Sequence, residues 1–580
     1  MESGQQKNAN GGSDIPTPGM AQGHLAIKGF PGRSRTVVGK QGTLYISGYI
    51  ETVDADNQLL SVLERCSHQP TELAAHIPIL SGHYALAFVT NDLKNSYLIT
   101  NRYGSEPIYY AKTPGGYSWS FAITDMLSEL AERSIDERGL DEITRYRWLT
   151  EDRTLISGVI QVLPGHMVLL GSGQSVKIAP YTRVEFRPSS KVADQNSVIR
   201  DTNEALDQYL SGIRRVHSHI AILFSGGVDS SLLVAKARDH NFDRVLAVSA
   251  GFPGRPNPEV ERATAIAKHL GVEHRIIDVP DEFVANSLTR IISQLERPSP
   301  YENNFARSRI FEKISSEVNF ALTGEGADGM FGGSDAGKIA TAYDAEQRFI
   351  AWIPWKTRFA IARAMSSFDS PLLRRLHRYL TVGTRQFIRE KGTLETVGRT
   401  NSIGAIALIP QLGKIRAKYT RPFYSIYEPE NPKSIAAICQ NRAFHSQNRN
   451  QFYCYSKLAS PYGISVGHPF VAPEMAEIGL TLSDAMKWDE LGTKPILKKL
   501  ACRYIPSEWI YAKKLGFETP YLEWLRGPLK PMVEMLFEPR TLSRGLFDEK
   551  ILRALDLTRD RDLIWTAINL ELFAREFLDE

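Results

Sequence analysis

The sequence predicts an α/β protein in two parts: a β-rich amino-terminal domain and a larger domain built on a parallel β-sheet. Between His24 and Leu130, short alternating apolar segments are broken by Gly, Asp and Asn, a pattern typical of antiparallel strands. After about residue 200, apolar strands alternate with helical segments. That order indicates a parallel sheet with helices on its faces.

The composition is that of an ordinary globular chain. Its 580 residues are 42% hydrophobic and 23% charged, and a net charge of +4 is too small at this length to indicate a nucleic-acid partner. No apolar run reaches the length of a membrane span, so no membrane partner is expected. The four cysteines are far apart, which predicts neither a zinc site nor a disulfide framework and favours a cytoplasmic location.

The strongest motif lies between His219 and Ala235, where an apolar strand ends in Ser-Gly-Gly and an apolar helix follows. Such a break exposes backbone N–H groups at the positive end of a helix, which together bind phosphate. Asp229 would repel that phosphate unless a cation lay between them, so Mg²⁺ is expected. An ordinary strand–turn–helix corner is the alternative. The residues assigned to this phosphate site are Phe224, Ser225, Gly226, Gly227, Val228, Asp229, Ser230 and Ser231.

The segment SGGVDSS resembles the pyrophosphate-binding loop of the N-type ATP pyrophosphatases, and no Gly-Lys-Ser/Thr of a P-loop follows it. That superfamily cleaves ATP between its α and β phosphates and attaches AMP to a substrate oxygen. The resemblance therefore implies ATP as a ligand. Ligands of parallel sheets bind at the carboxyl ends of the strands. The strand that starts at Arg244 ends near Ser249, which we expect beside the adenine and ribose.

A second apolar strand runs into a glycine-rich turn in Phe320-Ala-Leu-Thr-Gly-Glu-Gly-Ala-Asp-Gly-Met-Phe-Gly-Gly. It resembles the Ser-Gly-Glu-Gly-Ala-Asp-Glu-Leu-Phe-Gly-Gly-Tyr segment of asparagine synthetases, and it adds Thr323 and Gly324 to the expected ATP site. The resemblance implies that Asp328 joins Asp229 in holding Mg²⁺. It also places Glu325 where a carboxylate helps the incoming amine lose its proton, since an ammonium has no lone pair. A solvated turn residue is the alternative for Glu325.

Two later segments also resemble that family. Gly492-Thr-Lys-Pro-Ile-Leu-Lys-Lys-Leu matches a lysine-led helix, and Lys514 in the following Ala-Lys-Lys-Leu-Gly-Phe falls on the lysine that contacts phosphate. A fixed cation there would stabilise the departing pyrophosphate, although a surface lysine is the alternative. Ser465, Gly467 and Ala472 replace a glutamate, an arginine and an aspartate of the family. Those changes make plain aspartate a doubtful substrate.

The front half carries LSGHYALAFV, YLITNRYGSEPIYYA and SWSFAITDML, which resemble the glutaminase domain of asparagine synthetases, an Ntn-hydrolase-like αββα fold. The family's nucleophile is a cysteine directly after the initiator methionine, where this chain has Glu2. The family's Asn-Gly-Glu reads Ser47-Gly48-Tyr49, and its Arg-Asp pair reads Thr100-Asn101. We expect a scaffold without glutaminase activity, because no thiolate is available. Cys66 as a substitute nucleophile is the weaker alternative, since its surroundings are helical and polar.

The expected units are a disordered leader at residues 1–22, the glutaminase-like domain at 23–185 and the synthetase domain at 200–580. The second domain is expected to have an adenine nucleotide α-hydrolase-like fold with a helical insertion at about 339–453. Within the insertion, basic residues are mixed with aromatics. A surface for an anionic partner and a solvated helix face both explain this composition, and the second is favoured. The residues concerned are Lys356, Arg358, Arg363, Arg374, Arg375, Arg378, Arg385, Arg389, Trp352, Trp355, Phe359 and Phe387.

The resemblance implies an ATP-dependent carboxylate–amine ligase. The carboxylate would attack ATP to give an acyl-adenylate and pyrophosphate, and an amine would then displace AMP. Relatives that lack the cysteine, the lasso-peptide macrolactam synthetases and β-lactam synthetases, use an amine already on the substrate. Such an amine gains a high effective molarity, on the order of 10⁵ to 10⁸ M.

Intramolecular macrolactam or lactam formation on a peptide or small-molecule carboxylate is therefore expected, with a precursor peptide and its processing protease as partners. β-Lactam synthetases match less well, because they carry tyrosine at the position of Glu325. Amidation of aspartate or a related acid by free ammonia is the alternative. A nucleotide- or RNA-modifying pyrophosphatase is disfavoured by the glutaminase-like front half. A non-catalytic binding protein is disfavoured by the retained acidic residues and lysine.

Overall fold

A computed structural model describes most of the chain between Ser34 and Asp579. The described residues are 34–51, 55–66, 77, 80–150, 152–171, 176–189, 194–334, 336–365, 376, 380, 402–418, 434–490, 492–513 and 519–579. The predicted leader, residues 1–22, lies outside this set, and so does Lys514.

The described residues of the amino-terminal part form two antiparallel sheets and two helices. The strands are β1 Ser34–Val38, β2 Gly42–Ile50, β3 Gly82–Thr90, β4 Asn95–Thr100, β5 Tyr109–Thr113, β6 Gly116–Ser120, β7 Val159–Gln161, β8 His166–Gly171 and β9 Val176–Pro180. The helices are α1 Ala55–Cys66 and α2 Glu137–Tyr146, with a 3₁₀ turn at Thr124–Glu129. The larger sheet has the order β1-β2-β3-β4-β8-β9 and the smaller one β6-β5-β7.

The side chains of β3 show how these elements stack. Successive residues of a strand point to opposite faces. Phe88 belongs to the apolar cluster under α1, and its neighbour Ala87 belongs to the cluster between the two sheets. On the far side of the smaller sheet, Tyr109 packs in one cluster with Leu140 and Ile143 of α2. The order helix, sheet, sheet, helix confirms the predicted αββα layering.

A five-stranded parallel sheet forms the centre of the carboxyl-terminal part. Its strands are β10 His219–Leu223, β11 Arg244–Gly251, β12 Glu273–Asp278, β13 Phe320–Leu322 and β14 Ser465–Gly467, in the order β12-β11-β10-β13-β14. Each neighbouring pair is parallel, as predicted. A small hairpin, β15 Trp488–Asp489 and β16 Gly492–Thr493, follows.

Helices cover both faces of this sheet. They are α3 Gln195–Val216, α4 Val228–Asp239, α5 Pro258–Leu270, α6 Asp281–Leu295, α7 Asn304–Ile314, α8 Ala327–Phe331, α9 Ala336–Phe349, α10 Trp355–Met365, α11 Ser402–Leu408, α12 Gln411–Lys418, α13 Ile435–Ala443, α14 Arg449–Ala459, α15 Pro473–Thr481, α16 Asp484–Lys487, α17 Pro495–Ala501, α18 Ser507–Ile510, α19 Tyr521–Arg526, α20 Lys530–Met535, α21 Pro539–Ser543, α22 Glu549–Arg553 and α23 Arg561–Phe577.

Shorter turns are the π-helical turn Phe444–Asn448 and 3₁₀ turns at Ser460–Tyr462 and Pro469–Val471. Ile222 of β10 packs with α4 and α5, whereas Ala221 packs with α6 and α7. Among the described residues, no helix combines the length and apolar character that crossing a membrane requires.

Local sequence signals explain where two of these helices begin and end. Helix α5 starts with Pro258 in its first turn and ends at Gly271, whose φ is 67°. Both positions follow from the residue types, because proline suits the first turn of a helix and glycine the left-handed cap. Helix α3 begins at Gln195. The Asp194 carboxylate accepts from the Ser197 N–H at 3.0 Å and caps the helix there.

The described part of the insertion is helical, as expected. Lys356 and Arg363 are exposed, in agreement with a solvated face, and Trp352 is 79% exposed. Arg358 departs from that prediction: it is buried, and its guanidinium donates to the Ile353 carbonyl at 2.9 Å. The other basic residues of the predicted stretch, from Arg374 onward, lie outside the described residues.

Candidate active site

The first corner of the site follows strand β10. Helix α4 begins at Val228 with Gly227 as its N-cap, so its first N–H groups lack helical partners. Gly226 has a φ of 69°, and a Cβ there would lie 2.9 Å from the Ala263 nitrogen, so only glycine fits. The Ser230 hydroxyl accepts from the Ser225 N–H at 3.2 Å and so braces the turn. The corner has the form expected of an anion-binding turn.

The second corner follows β13 and contacts the first. A Cβ at Gly324 would lie 2.9 Å from the Cβ of Asp229, so the two turns pass within van der Waals contact. Thr323 Oγ1 lies 2.7 Å from His468 Nδ1, and the Thr323 N–H donates to the Gly467 carbonyl at 3.0 Å. The β14 end therefore holds this turn in place.

A buried lysine joins the two corners. Lys494 is 4% exposed; its ammonium lies 2.5 Å from Asp229 Oδ2 and also pairs with Asp328. Burial alone would lower the pKa of Lys494, but the two carboxylates outweigh burial and raise it above its usual value. Lys494 thus carries a fixed positive charge between the two acidic residues that were predicted to hold a metal.

The backbone of Lys494 is unusual. Its φ of 55° and ψ of 47° are left-handed, although it carries a side chain and precedes Pro495. Strain of this kind costs on the order of 1–3 kcal/mol and is found where the surroundings fix a functional group. The resemblance to the family assigns the phosphate-contacting role to Lys514 and none to Lys494. The lysine-led helix was the signal that pointed to Lys494.

Glu325 is half-buried rather than a solvated turn residue. Asn448 donates to Glu325 Oε1 at 2.8 Å, and the Glu325 N–H donates to Thr323 Oγ1 at 3.2 Å. Asn448 ends the π-helical turn Phe444–Asn448. Such turns are rare and frequent at functional sites. The carboxylate is therefore held by an irregular helix that the sequence did not reveal.

One pocket, of ≈ 240 Å³, brings most of the predicted residues together. Those that line it are Phe224, Ser225, Asp229, Ser230, Ser249, Thr323, Gly324, Glu325 and Asp328. Gly226, Gly227 and Val228 form the corner without lining the pocket, and Ser231 is buried in α4. Ser249 donates to the Phe224 carbonyl at 2.5 Å, which ties β11 to the corner. The pocket also contains Glu259, Asn303, Arg307 and Tyr455, which the sequence analysis missed.

The profile of the family described as "Asparagine synthase" matches residues 205–575, and that of a glutamine amidotransferase domain matches residues 67–182. The chain belongs to the asparagine synthetase family. Members of this family are carbon–nitrogen ligases that use ATP and produce AMP and pyrophosphate. The chain is accordingly an asparagine synthetase-like ligase. The predicted resemblance to the asparagine synthetase family is confirmed.

The proteins to which this chain is similar include two asparagine synthetases. Asparagine synthetase (glutamine-hydrolyzing) 1 of Bacillus subtilis strain 168 is 21% identical over 569 residues, 93% of this chain and 85% of that protein. A putative glutamine-hydrolyzing asparagine synthetase of Mycobacterium tuberculosis H37Rv is 24% identical over 498 residues, 83% of this chain and 72% of that protein. A solved NH3-dependent NAD synthetase of Campylobacter jejuni is 15% identical with a TM-score of 0.19, and it covers 33% of this chain and 94% of that one.

Positions where the asparagine synthetases hold glutamine are engaged internally in this chain. Asn101 donates to the Gly82 carbonyl at 3.1 Å and to the Ser105 hydroxyl at 2.8 Å. The Tyr49 ring packs edge-on against Phe320 with centroids 5.1 Å apart. The Tyr49 ring connects the front sheets to the parallel sheet, and Asn101 is held within the front part.

Proposed function

We propose that the chain adenylates a substrate carboxylate with ATP and lets an amine displace AMP, without glutaminase activity. The observation that supports this most strongly is the bridge from Lys494 to Asp229 and Asp328 across two strand–turn–helix corners. A carboxylate oxygen would attack the α-phosphorus, and the bond to the departing pyrophosphate would break. Lys494 and the first N–H groups of α4 stabilise the charge that collects on that pyrophosphate.

Asp229 and Asp328 fit a magnesium ion. Mg²⁺ in nucleotide sites takes one or two carboxylates and completes its shell with phosphate oxygens and water. Among the described residues, no group of three or more His, Cys, Asp or Glu could hold a metal. The pair suits an ion that arrives with the nucleotide, because phosphate oxygens and water would complete its shell, and such an ion supplies positive charge to the phosphates. Lys494 lies between both carboxylates and keeps them from repelling each other.

Glu325 serves the second step of the proposed reaction. An attacking amine must lose a proton as the new C–N bond forms and AMP leaves with the electrons of the broken bond. Glu325 lines the same pocket as the phosphate corner, and Asn448 holds one of its oxygens at 2.8 Å. The Glu325 carboxylate is the acceptor for that proton.

We propose that the amine is already part of the substrate, so that the product is a lactam or macrolactam of the lasso-peptide type. Tyr49 and Asn101 occupy the places of glutamine-holding groups, and both contact other parts of the protein instead. A precursor peptide and its processing protease are the corresponding partners. Amidation of aspartate or a related acid by free ammonia is the second candidate, because Glu325 is the carboxylate that asparagine synthetases carry at this place.

Two variants separate the proposed steps. Asp229→Ala should reduce the rate of pyrophosphate release by about 10²-fold or more. The variant lacks one of the two carboxylates that hold Lys494 and Mg²⁺ beside the phosphates. Glu325→Gln should still release pyrophosphate but form amide slowly, since only amine deprotonation is impaired. Asp239→Asn, at the other end of α4, is the matched control and should behave as wild type. Equal pyrophosphate release by wild type and Asp229→Ala would refute the assignment of the corner.

The amine source is tested with the same protein. Candidate acids are supplied with ATP and either ammonium chloride, glutamine or no added amine, and the products are identified by mass spectrometry. A product lighter than the acid by one water, formed without added amine, supports the lactam proposal. A product that requires ammonium supports the second candidate. Amidation supported by glutamine alone would overturn the proposed lack of glutaminase activity.

A further inference from the structure

The turn between α9 and α10, residues 350–354, and the helix ends beside it present aromatic side chains to solvent. Phe349, the last residue of α9, is 82% exposed, and Trp352 is 79% exposed. Trp355 and Phe359 on α10 are half-exposed, and their rings meet edge-on with centroids 5.6 Å apart. A single exposed apolar residue is ordinary, but four large aromatic side chains within eleven residues form a cluster that marks a binding surface.

A buried arginine fixes the shape of this turn. Arg358 is 7% exposed; its Nε donates to the Ile353 carbonyl at 2.9 Å and its Nη2 to the Ile350 carbonyl at 2.5 Å. Its Nη1 donates to Gln347 Oε1 at 3.3 Å. The guanidinium thus ties α10 to the turn and to the end of α9. The exposure of Trp352, which lies between the two carbonyls, is therefore built into the turn.

The same segment is strongly basic. From Arg348 to Lys391 the sequence has ten lysine and arginine residues and two acidic residues, a local charge of +8, whereas the whole chain carries +4. Lys356 and Arg363 expose their side chains on α10, the helix that carries the two half-exposed aromatics. Positive charge and apolar surface are thus concentrated in one place. A partner that complements both offers negative charge and an apolar interior.

The surface of an anionic phospholipid bilayer combines these two properties. Interfacial protein segments bury Trp and Phe at the boundary of headgroups and acyl chains, and their Lys and Arg side chains attract anionic headgroups. A peptide partner would fit a groove that partly encloses the aromatic side chains, but Phe349 and Trp352 lie mostly in solvent. The sequence analysis expected no membrane partner because it found no spanning run. Contact with a membrane surface requires no such run.

We propose that the α9–α10 turn is a peripheral membrane-binding surface. Phe349 and Trp352 enter the headgroup region of an anionic bilayer, and Lys356 and Arg363 bind its phosphate groups. None of these four residues lines the active-site pocket, so the inference is independent of the proposed reaction. The contact holds the ligase at a membrane without a spanning segment.

The test is co-sedimentation of the full chain with vesicles of phosphatidylcholine alone, or of phosphatidylcholine and phosphatidylglycerol in equal amounts. We expect binding to the anionic vesicles to be about 10-fold tighter or more, and to weaken as salt rises, because salt screens the attraction to the headgroups. The double variant Phe349→Ser, Trp352→Ser should bind about 10-fold or more weakly, since its apolar burial is lost. Lys356→Glu should weaken binding by about 10-fold, because it reverses a charge at the surface.

Val216→Ser and Lys94→Glu are the matched controls. Val216 is 63% exposed at the end of α3, and the Lys94 side chain is 67% exposed beside β4. Both variants should bind anionic vesicles as wild type does. Equal affinity of wild type for the two kinds of vesicle, no affinity for either, or binding that survives in the double variant overturns the proposal. So does tighter binding of poly-L-glutamate than of anionic vesicles, if the double variant loses it, because that result would assign the turn to an acidic peptide.

Discussion

At the scale of single residues, Lys494 joins the two acidic side chains of the proposed site. Its ammonium is 2.5 Å from Asp229 and also pairs with Asp328, and its left-handed backbone aims it there. Replacing Lys494 by alanine leaves two carboxylates facing each other without a fixed cation. Two neighbouring carboxylates without a cation between them disfavour full ionisation of both. A metal–nucleotide complex would then bind less well.

We predict that Lys494→Ala lowers the rate of pyrophosphate release by about 10²- to 10³-fold, the loss expected when a preorganised charge is removed from a transition state. Lys499→Ala on the same helix is the control, since Lys499 is exposed and bonds Gln195. It should leave the rate unchanged. Initial rates of pyrophosphate release at saturating ATP provide the measurement, and similar rates for both variants would contradict the role of Lys494.

At the scale of elements, a buried ion pair ties α6 to α14. Lys457 Nζ and Glu296 Oε2 are 2.5 Å apart, and their side chains are 3% and 2% exposed. Glu296 Oε1 also accepts from the Ile123 N–H at 2.6 Å, so the front part joins the same contact. The pair therefore connects three elements that are remote in sequence.

Removing one partner of this ion pair should strongly lower the free energy of unfolding. We predict that Lys457→Met lowers the free energy of unfolding by about 3–5 kcal/mol, because Glu296 is left charged and buried. Adding Glu296→Gln should recover a part of that loss, since the orphaned charge is then removed. Urea denaturation of the single and double variants gives the comparison.

The control for that experiment is the pair Arg553–Glu549 on α22, whose side chains are 55% and 54% exposed. Exposed pairs contribute little, so Arg553→Met should change stability by less than about 0.5 kcal/mol. If Lys457→Met and Arg553→Met lowered the free energy of unfolding by similar amounts, the buried pair would contribute no more to stability than the exposed one.

At the scale of the whole molecule, Glu51 couples pH to the junction of the two halves. Burial raises the pKa of Glu51 to about 7, against hydrogen bonds from Ser81, Tyr209 and Tyr49 that lower it. Tyr49 belongs to β2 and Tyr209 to α3, so the acid lies where front sheet and rear helix meet. Between the unfolded pKa and about 7, the folded state holds a proton that the unfolded chain has released. Stability therefore falls as pH rises through this window.

Glu51→Gln cannot titrate and should lose this component. We predict that the variant gains stability relative to wild type by up to about 3 kcal/mol as pH rises from about 5 to 8. Urea midpoints of both proteins across that range are the test. A wild-type-to-variant difference that is independent of pH would show that Glu51 titrates normally.

Much of the architecture was predictable because it depends on patterns of residues that are adjacent in the sequence. The alternation in β3 and the Pro258 to Gly271 helix are local signals, and the two glycine corners are single uninterrupted motifs. Lys494 contacts Asp229 from 265 residues away, and Arg307 contacts Gln451 from 144 residues away. Such pairings depend on which helices pack at the sheet edge, and no local pattern encodes that.

The contact between the front sheets and the 468–471 segment has a practical consequence for anyone who wishes to shorten this protein. The His83 ring meets the His468 ring edge-on at 4.6 Å, and the Tyr103 hydroxyl donates to the Val471 carbonyl. His468 in turn supports the turn at Thr323. A trimmed version that begins at the rear half would uncover these surfaces and loosen the turn at Thr323. The front half supports this turn and should be kept in any engineered derivative.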